Sequence, residues 1–432
     1  MEPTTSKTVL KNGIRISTKR IPHARSVSMG VWLNAGARDE TLEENGLSHF
    51  IEHMIFKGTT RRSAFQIAKE FDAIGGHTNA FTTMENTCYH ARVMDTHLST
   101  MIDILSDIFL NSVFDALEIE RERPVIFQEL GMVEDSPEEY IHILSGNAFW
   151  GDNPLGRSIL GTRENISRFD SGSIKAFFKK FYQPDRIVIA AAGNLEHQCF
   201  VDQIGPAFES IQSGNGFPAR VIPDIHPEIR MHRKKLEQVH VCIGAKGLAL
   251  TDPRRFAFSL MNTILGGNMS SRLFQEIREK RGFAYSVYSF ITSHVDTGMF
   301  GVYAACEPKK TDEVVSLILE EMNRLKESLL DGAELKNAKE FTKGGLLLAS
   351  ESVDNQMVRV AQSEIYFDRI ISLEWIIEQI EAVSPDQITR LMKDLFEPDR
   401  ISLTVLGPVS PKKQFDGLFS RVSRAGSGIA LS

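Results

Sequence analysis

Two histidines and a glutamate stand within two turns of helix in the stretch Ser48-His49-Phe50-Ile51-Glu52-His53-Met54. At 3.6 residues per turn, His49 and His53 lie four apart and Glu52 lies three beyond His49, so all three side chains leave one face. The spacing H-x-x-E-H reverses the better-known H-E-x-x-H, and it suits a divalent metal held by two neutral imidazoles. The bland alternative is a solvated helix face that happens to carry two histidines. Leu47, Phe50, Ile51, Met54, Ile55 and Phe56 argue against it. They make the helix mostly buried, and buried imidazoles need partners.

A catalytic zinc usually keeps three protein ligands and one open position for water. The third ligand must come from elsewhere. Residues 118–130, EIERERPVIFQEL, offer Glu129, with Glu122 seven residues earlier and so on nearly the same helical face. Spacing alone does not choose among these acids, because a run such as E-I-E-R-E-R more often forms an exposed, salt-bridged helix.

The elements that must position these residues belong to a chain of 432 residues, long for a single core. Apolar residues at 42% and charged residues at 24% give the balance of a globular protein and exclude disorder and collagen-like repeats. A net charge of −7 disfavours nucleic acid as a partner. The opening MEPTTSKTVLKNGIRIS has no apolar run of signal-peptide length, and no stretch reaches the roughly 18 apolar residues of a membrane span. A cytoplasmic protein with no membrane span is expected. Cys88, Cys199, Cys242 and Cys306 form no C-x-x-C pair, so they are expected to be buried small hydrophobes rather than zinc thiolates or disulfides.

The chain repeats itself. Pro184-Asp185-Arg186-Ile187 recurs as Pro398-Asp399-Arg400-Ile401, and Gly193 answers Gly407, at an offset of 214 (398 − 184 and 407 − 193). Upstream, the stripe Ile174, Phe178, Phe181 pairs with Ile388, Met392, Leu395, an amphipathic helix in each copy. Each copy reads as helix, Pro-marked turn and β-strand ending at glycine. The Gly- and Ser-rich stretch 210–220 marks the seam, giving a first domain at 1–213, a linker at 214–218 and a homologous second domain at 219–432. SVSMGVWLNAG and NTCYHARVM resemble strands and TMIDILSDIFLNSVF a helix. The expected fold class is α+β, each domain a largely antiparallel sheet packed with helices. Only the first copy carries H-x-x-E-H.

On these motifs the chain resembles the pitrilysin family of zinc peptidases, and most closely its short-chain branch, which includes the mitochondrial processing peptidase β subunit and its bacterial relatives. In that family a glutamate ligand follows the motif by about 76 residues, the separation of Glu129 from His53 (129 − 53). GGHTNAFTTMENTCYHARV, NPLGRSILGT and SSRLFQEIREKRGFAYSVYS extend the resemblance over most of the chain in family order. The resemblance implies one zinc ion per chain on His49, His53 and Glu129, with Glu52 as general base and Glu122 orienting a ligand histidine. It further implies that Asn79 and Ala80 adjoin an exposed strand edge that binds peptide, and alternating faces are expected to continue that strand through Glu85, Thr87 and Tyr89. Arg278 and Tyr285 would contact the substrate carbonyl. His77 and His90 are read as bystanders.

One departure stands out: Pro124 lies between Glu122 and Glu129, where the family has a continuous helix, and an interior proline is expected to kink it. Longer relatives join two such halves into a chamber, so the resemblance implies a homodimer, or a heterodimer with a related subunit, acting on peptides or unfolded, presequence-like segments. The rival readings are a non-catalytic peptide-holding or assembly subunit of the same fold and, more remotely, a structural zinc protein. Intact His49, Glu52, His53 and Glu129 favour the zinc endopeptidase.

Overall fold

The computed structural model describes residues 4–214, 216–327, 330–397 and 400–409. Two sheets organise them. The first runs in the order β1 (Thr4–Val9), β2 (Arg15–Arg20), β6 (Ile187–Gly193), β3 (Ser26–Leu33), β5 (Thr87–Met94), β4 (His77–Thr82). In the second, β7 (Ile229–Arg233), β11 (Ser402–Gly407), β8 (Val239–Lys246), β10 (Gly298–Cys306) and β9 (Ala284–Ser293) lie side by side. Apart from β1 the orders correspond strand for strand. The one parallel pairing in each sheet, β2 with β6 and β7 with β11, also falls at the matching place. The α+β class with largely antiparallel sheets is therefore what the chain adopts.

The repeat has a backbone cause at its glycines. Gly193 and Gly407 end corresponding strands at φ of 137° and 148°, and a Cβ would fall 2.2 Å from Ser26 O in the first copy and 2.8 Å from Gln238 O in the second. Only glycine fits either place. Pro398 and Asp399 of the repeated string, and residue 215 of the expected linker, lie outside the described residues.

Alternation along the strands gives each sheet two buried faces. In the first sheet Val27, Met29 and Val31 of β3 and Ile187, Ile189 and Ala191 of β6 meet Phe50, Ile51 and Met54 of helix α1 (Leu47–Met54), with helices α2 (Ala64–Ala73) and α3 (Leu98–Asn111) adding Phe71, Ile104 and Ile108. The opposite face, with Trp32, Cys88, Val188, Ala190 and Ala192, is covered by Val353, Met357, Val360 and Ala361 of the helix Val353–Phe367.

That helix comes from the far half of the sequence. Reciprocally, the second sheet's Cys242, Tyr303 and Leu406 are covered by Tyr140, Ile141 and Leu144 of helix α5 (Pro137–Trp150), which follows helix α4 (Ala116–Asp135) in the first half. The two helices start 216 residues apart (353 − 137), close to the repeat offset, so equivalent elements have changed places. The compact units are accordingly Met1–Met132, Arg157–Val221 and Leu347–Ile371, against Val133–Gly156, Ile222–Leu346 and Ser372–Ser432. This division differs from contiguous halves at 1–213 and 219–432, because each half lends one helix to the other half's sheet.

The expected linker is docked along part of its length: Gly214 N donates to Gln183 Oε1 at 3.0 Å and the Arg186 guanidinium stacks 3.6 Å over the Phe217 ring. Cys88, Cys242 and Cys306 are buried, but Cys199 is exposed, since it sits on the outer side of the helix His197–Phe208 whose Phe200, Val201 and Ile204 face the core. No helix among the described residues is long and apolar enough to cross a membrane.

Candidate metal centre

Helix α1 turns its apolar residues Phe50, Ile51 and Met54 into the core and leaves His49, Glu52 and His53 on the other side. His49 is buried, while Glu52 and His53 are partly so. Helix α4 brings two acids to that face. Its buried residues Ile119, Glu122, Ile126 and Leu130 follow a three-and-four spacing, and Glu129 stands beside this stripe at intermediate exposure.

The Glu129 carboxylate lies 3.5 Å from His49 Nε2 and 3.4 Å from His53 Nε2. The three residues offer ligand atoms all within 4.8 Å of one another. Bonds of about 2.0–2.2 Å in a tetrahedral zinc site separate neighbouring ligands by about 3.4 Å, which the two contacts of Glu129 match. His53 Nδ1 is paired with Glu122 Oε1 at 2.9 Å, which keeps the proton on Nδ1 and leaves the Nε2 lone pair for a metal. Lys57 Nζ holds the other Glu122 oxygen at 2.5 Å.

On α1, His49 Nδ1 and Glu52 Oε2 are buried without a hydrogen-bond partner. An unpartnered carboxylate oxygen one turn after His49 and next to His53 in sequence is what a water-activating base requires and what a purely structural site has no use for. The electrostatics favour a cation. Hydrogen bonds from His49 and His53 outweigh burial and hold the Glu129 carboxyl far below its ordinary range. Burial alone would lower the His53 imidazole's pKa, but Glu129 and Glu122 outweigh it and raise it. The field that favours an imidazolium equally favours a divalent ion.

Helix α4 continues through Pro124 to Asp135 instead of ending there. Pro124 and Glu120, whose carbonyl the proline leaves without its amide partner, are both exposed, so the missing bond falls on the solvent side of the helix. The expected disruption does not separate Glu122 from Glu129.

Strand β4 is the edge of its sheet, and it packs beside α1, with Thr82 Oγ1 reaching Ser48 O at 3.5 Å. Asn79 is exposed and Ala80 partly buried on that edge. The Ala80 amide donates to Asn79 Oδ1 at 2.8 Å. Glu85, Thr87 and Tyr89 do not continue this strand. Residues 83–86 turn the chain back, Glu85 pairs with Arg38 at 2.7 Å in that turn, and Thr87 and Tyr89 belong to β5 with Tyr89 bonded to the Tyr182 hydroxyl. His77 lies exposed on β4; His90, on β5, is partly buried beside Phe81.

Arg278 and Tyr285 lie together in the second compact unit, the guanidinium 4.5 Å from the Tyr285 ring and 4.7 Å from that of Phe274. Arg278 belongs to a π-helical turn over Phe274–Glu279, and Tyr285, near the start of β9, is 77% exposed. The second repeat offers no metal-ligand cluster among the described residues. Lys57 was not singled out from sequence; its only signal is a place one turn beyond His53.

Comparison with known proteins places the chain in a family. The family model described as insulinase (peptidase family M16) matches residues 15–163, which include His49, His53 and Glu129, and the one described as the peptidase M16 inactive domain matches residues 168–341. A Bacillus subtilis protein named as an uncharacterized zinc protease is 39% identical over 398 residues, 92% of this chain and 97% of its own. A Streptomyces coelicolor protein of the same description is also 39% identical, covering 95% of this chain and 91% of its own. In fold, a Helicobacter pylori protease superposes with a TM-score of 0.87 at 20% identity, over 95% of this chain and all of that one. The chain therefore belongs to peptidase family M16.

Proposed function

We propose that the chain is a zinc-dependent endopeptidase that hydrolyses peptides or unfolded, presequence-like segments. The observation that carries the reading is the His49–His53–Glu129 cluster with a buried, unpartnered Glu52 oxygen beside it on the same short helix. That relatives are named zinc proteases supports the choice of ion, one per chain. A zinc ion on these ligands supplies Lewis acidity, lowering the pKa of a water and polarising the scissile carbonyl.

The protein's own groups do the rest. Glu52 accepts the proton of the attacking water and passes it to the leaving amine nitrogen. Glu122, braced by Lys57, holds the His53 imidazole in the tautomer and orientation that a metal needs. The free edge of β4 at Asn79 and Ala80 accepts an extended peptide through main-chain hydrogen bonds that do not depend on its sequence. Folded proteins are poor substrates, because the chain must extend along an edge.

Arg278 and Tyr285 are donors suited to the tetrahedral oxyanion. In this reading they act on the metal centre of a second subunit, either another copy or a related chain, so the working form is a dimer. The metal centre belongs to the first repeat, 1–213, and the second, 219–432, joined through 214–218, has no such cluster among its described residues.

The test is cleavage of a long quenched fluorescent peptide by wild type and Glu52→Gln, with bound zinc quantified and assembly followed by sedimentation. Wild type is expected to cut and to stop with a chelator, while Glu52→Gln keeps zinc and loses at least about 100-fold in turnover. Equal, zinc-loaded silence of both across varied peptides favours the non-catalytic subunit instead. Full turnover per zinc by a stable monomer removes the dimer.

A further inference from the structure

Helix α1 carries both imidazoles and the base, yet it is only eight residues long and its N-cap is Gly46, which has no side chain to cap it. So short a helix does not hold its own direction in water, and its first amides need acceptors. The acceptor comes from outside the helix. Glu40, 2% exposed, places Oε1 2.6 Å from Ser48 N and Oε2 2.8 Å from Gly46 N and 3.1 Å from Asn45 Nδ2. A carboxylate at this end also meets the positive pole of the helix dipole.

The segment after residue 156 locks the same loop. Arg157 donates to Glu40 O at 3.0 Å, Asn45 Nδ2 to Ser158 O at 3.0 Å and Asn165 Nδ2 to Leu42 O at 2.7 Å. Gly46, at φ 104°, lies so close to Gly161 that a Cβ would sit 2.9 Å from its Cα. Burial pushes the Glu40 carboxyl up to about 7 against the pull of its donors, a cost that an ordinary loop residue would have no reason to carry.

The two histidines are supported unequally. His53 is held through its ring by Glu122, whereas His49 Nδ1 has no partner. The orientation of His49 therefore depends on the backbone of the first turn of α1, and the amide immediately before it, Ser48 N, is the one Glu40 grips at 2.6 Å. The geometry points to Glu40 as a positioning residue of the metal centre, whose carboxylate fixes the first turn of α1 and through it the His49 ligand. The inference rests on the metal-binding reading above and extends it to a residue that touches neither metal nor substrate.

The experiment compares zinc affinity, by competition with a chromogenic chelator, and the visible spectrum of the Co²⁺-substituted protein, in wild type, Glu40→Gln and Glu40→Ala. Thermal unfolding of the metal-free forms is measured beside them. Wild type is expected to bind one ion. Glu40→Ala should weaken zinc about 10–100-fold and alter the cobalt ligand-field bands, and Glu40→Gln, which keeps one acceptor oxygen, should fall between.

A merely structural role lowers the unfolding temperature and leaves affinity and spectrum of the folded fraction unchanged, and that result overturns the proposal. Should Glu40→Ala not fold, Glu40→Gln decides alone: a several-fold weaker site supports the inference and an unchanged one overturns it. Failure of wild type itself to bind an ion would instead sink the metal-centre reading, so the two failures are distinguishable.

Discussion

Glu122 is shared by two donors, His53 Nδ1 at 2.9 Å and the Lys57 ammonium at 2.5 Å, and this division fixes what each should be worth. Burial alone would raise the Glu122 carboxyl, but Lys57 and His53 outweigh it and hold it below its ordinary range, so it stays an acceptor for the His53 proton. Replacing Glu122 by Gln offers an amide group where a charged acceptor stood, and zinc affinity should fall about 10–100-fold. Lys57→Met leaves the contact between Glu122 and His53 in place and should cost less. Chelator competition on both variants checks the ranking, and a larger loss from Lys57→Met would refute it. His49, Glu52 and His53 were legible in sequence because helical geometry fixes neighbours three and four apart. Glu129 was legible only through the family resemblance, since no spacing rule spans 76 residues (129 − 53). Glu40 is not legible in the sequence, because it grips amides six and eight residues ahead through a loop, and capping patterns relate residues two or three apart.

Among the elements, α4 shows how a sequence rule yields to position. Pro124 is costly in a helix interior because it removes one hydrogen bond and crowds the preceding turn. Here its exposed side faces water, while Ile119, Ile126 and Leu130 anchor the helix on both sides of it. Packing outweighs a local penalty of about 3 kcal/mol. Pro124→Ala restores the amide that the Glu120 carbonyl lacks and should stabilise the protein by about 1–3 kcal/mol without changing zinc affinity. Chemical denaturation measures the first part and chelator competition the second; a destabilised variant would mean that the proline's shape is itself required. Strands with clean alternation, β3 and β5, were readable from sequence, as was α3 from its apolar stripe. The hairpin between β4 and β5 was not. The turn at residues 83–86, TMEN, lacks Gly and Pro, and its geometry is held by Thr83 bonds to Asn86 and by the buried pair of Glu85 with Arg38.

At the scale of the whole molecule the duplication was plain in the repeated string, while the exchange of helices between the halves was invisible. An amphipathic pattern says that a helix buries one face and is silent about which sheet receives it. Helix Val353–Phe367 is tied to the first sheet by more than packing. Trp32 Nε1 donates to Met357 Sδ at 3.3 Å, Lys19 to Gln356 at 2.9 Å, and Arg92 pairs with Asp354 at 2.7 Å. Gly30 lets the helix approach, since a Cβ there would meet Met357 Sδ at 2.9 Å. The contiguous fragment 1–213 therefore keeps every strand of its sheet and His49, His53 and Glu129 but lacks the cover over Trp32, Cys88, Val188, Ala190 and Ala192. Apolar burial contributes about 25 cal/mol per Å², so uncovering such a face removes several kcal/mol from a stability of about 5–15 kcal/mol. Expressed alone, the fragment should bind hydrophobic dyes and unfold without a cooperative transition, and co-expression with 219–432 should restore both cooperativity and one bound zinc. A lone fragment that melts cooperatively near the full chain's temperature would show that the exchanged helix is an accessory and that each repeat is a self-sufficient domain.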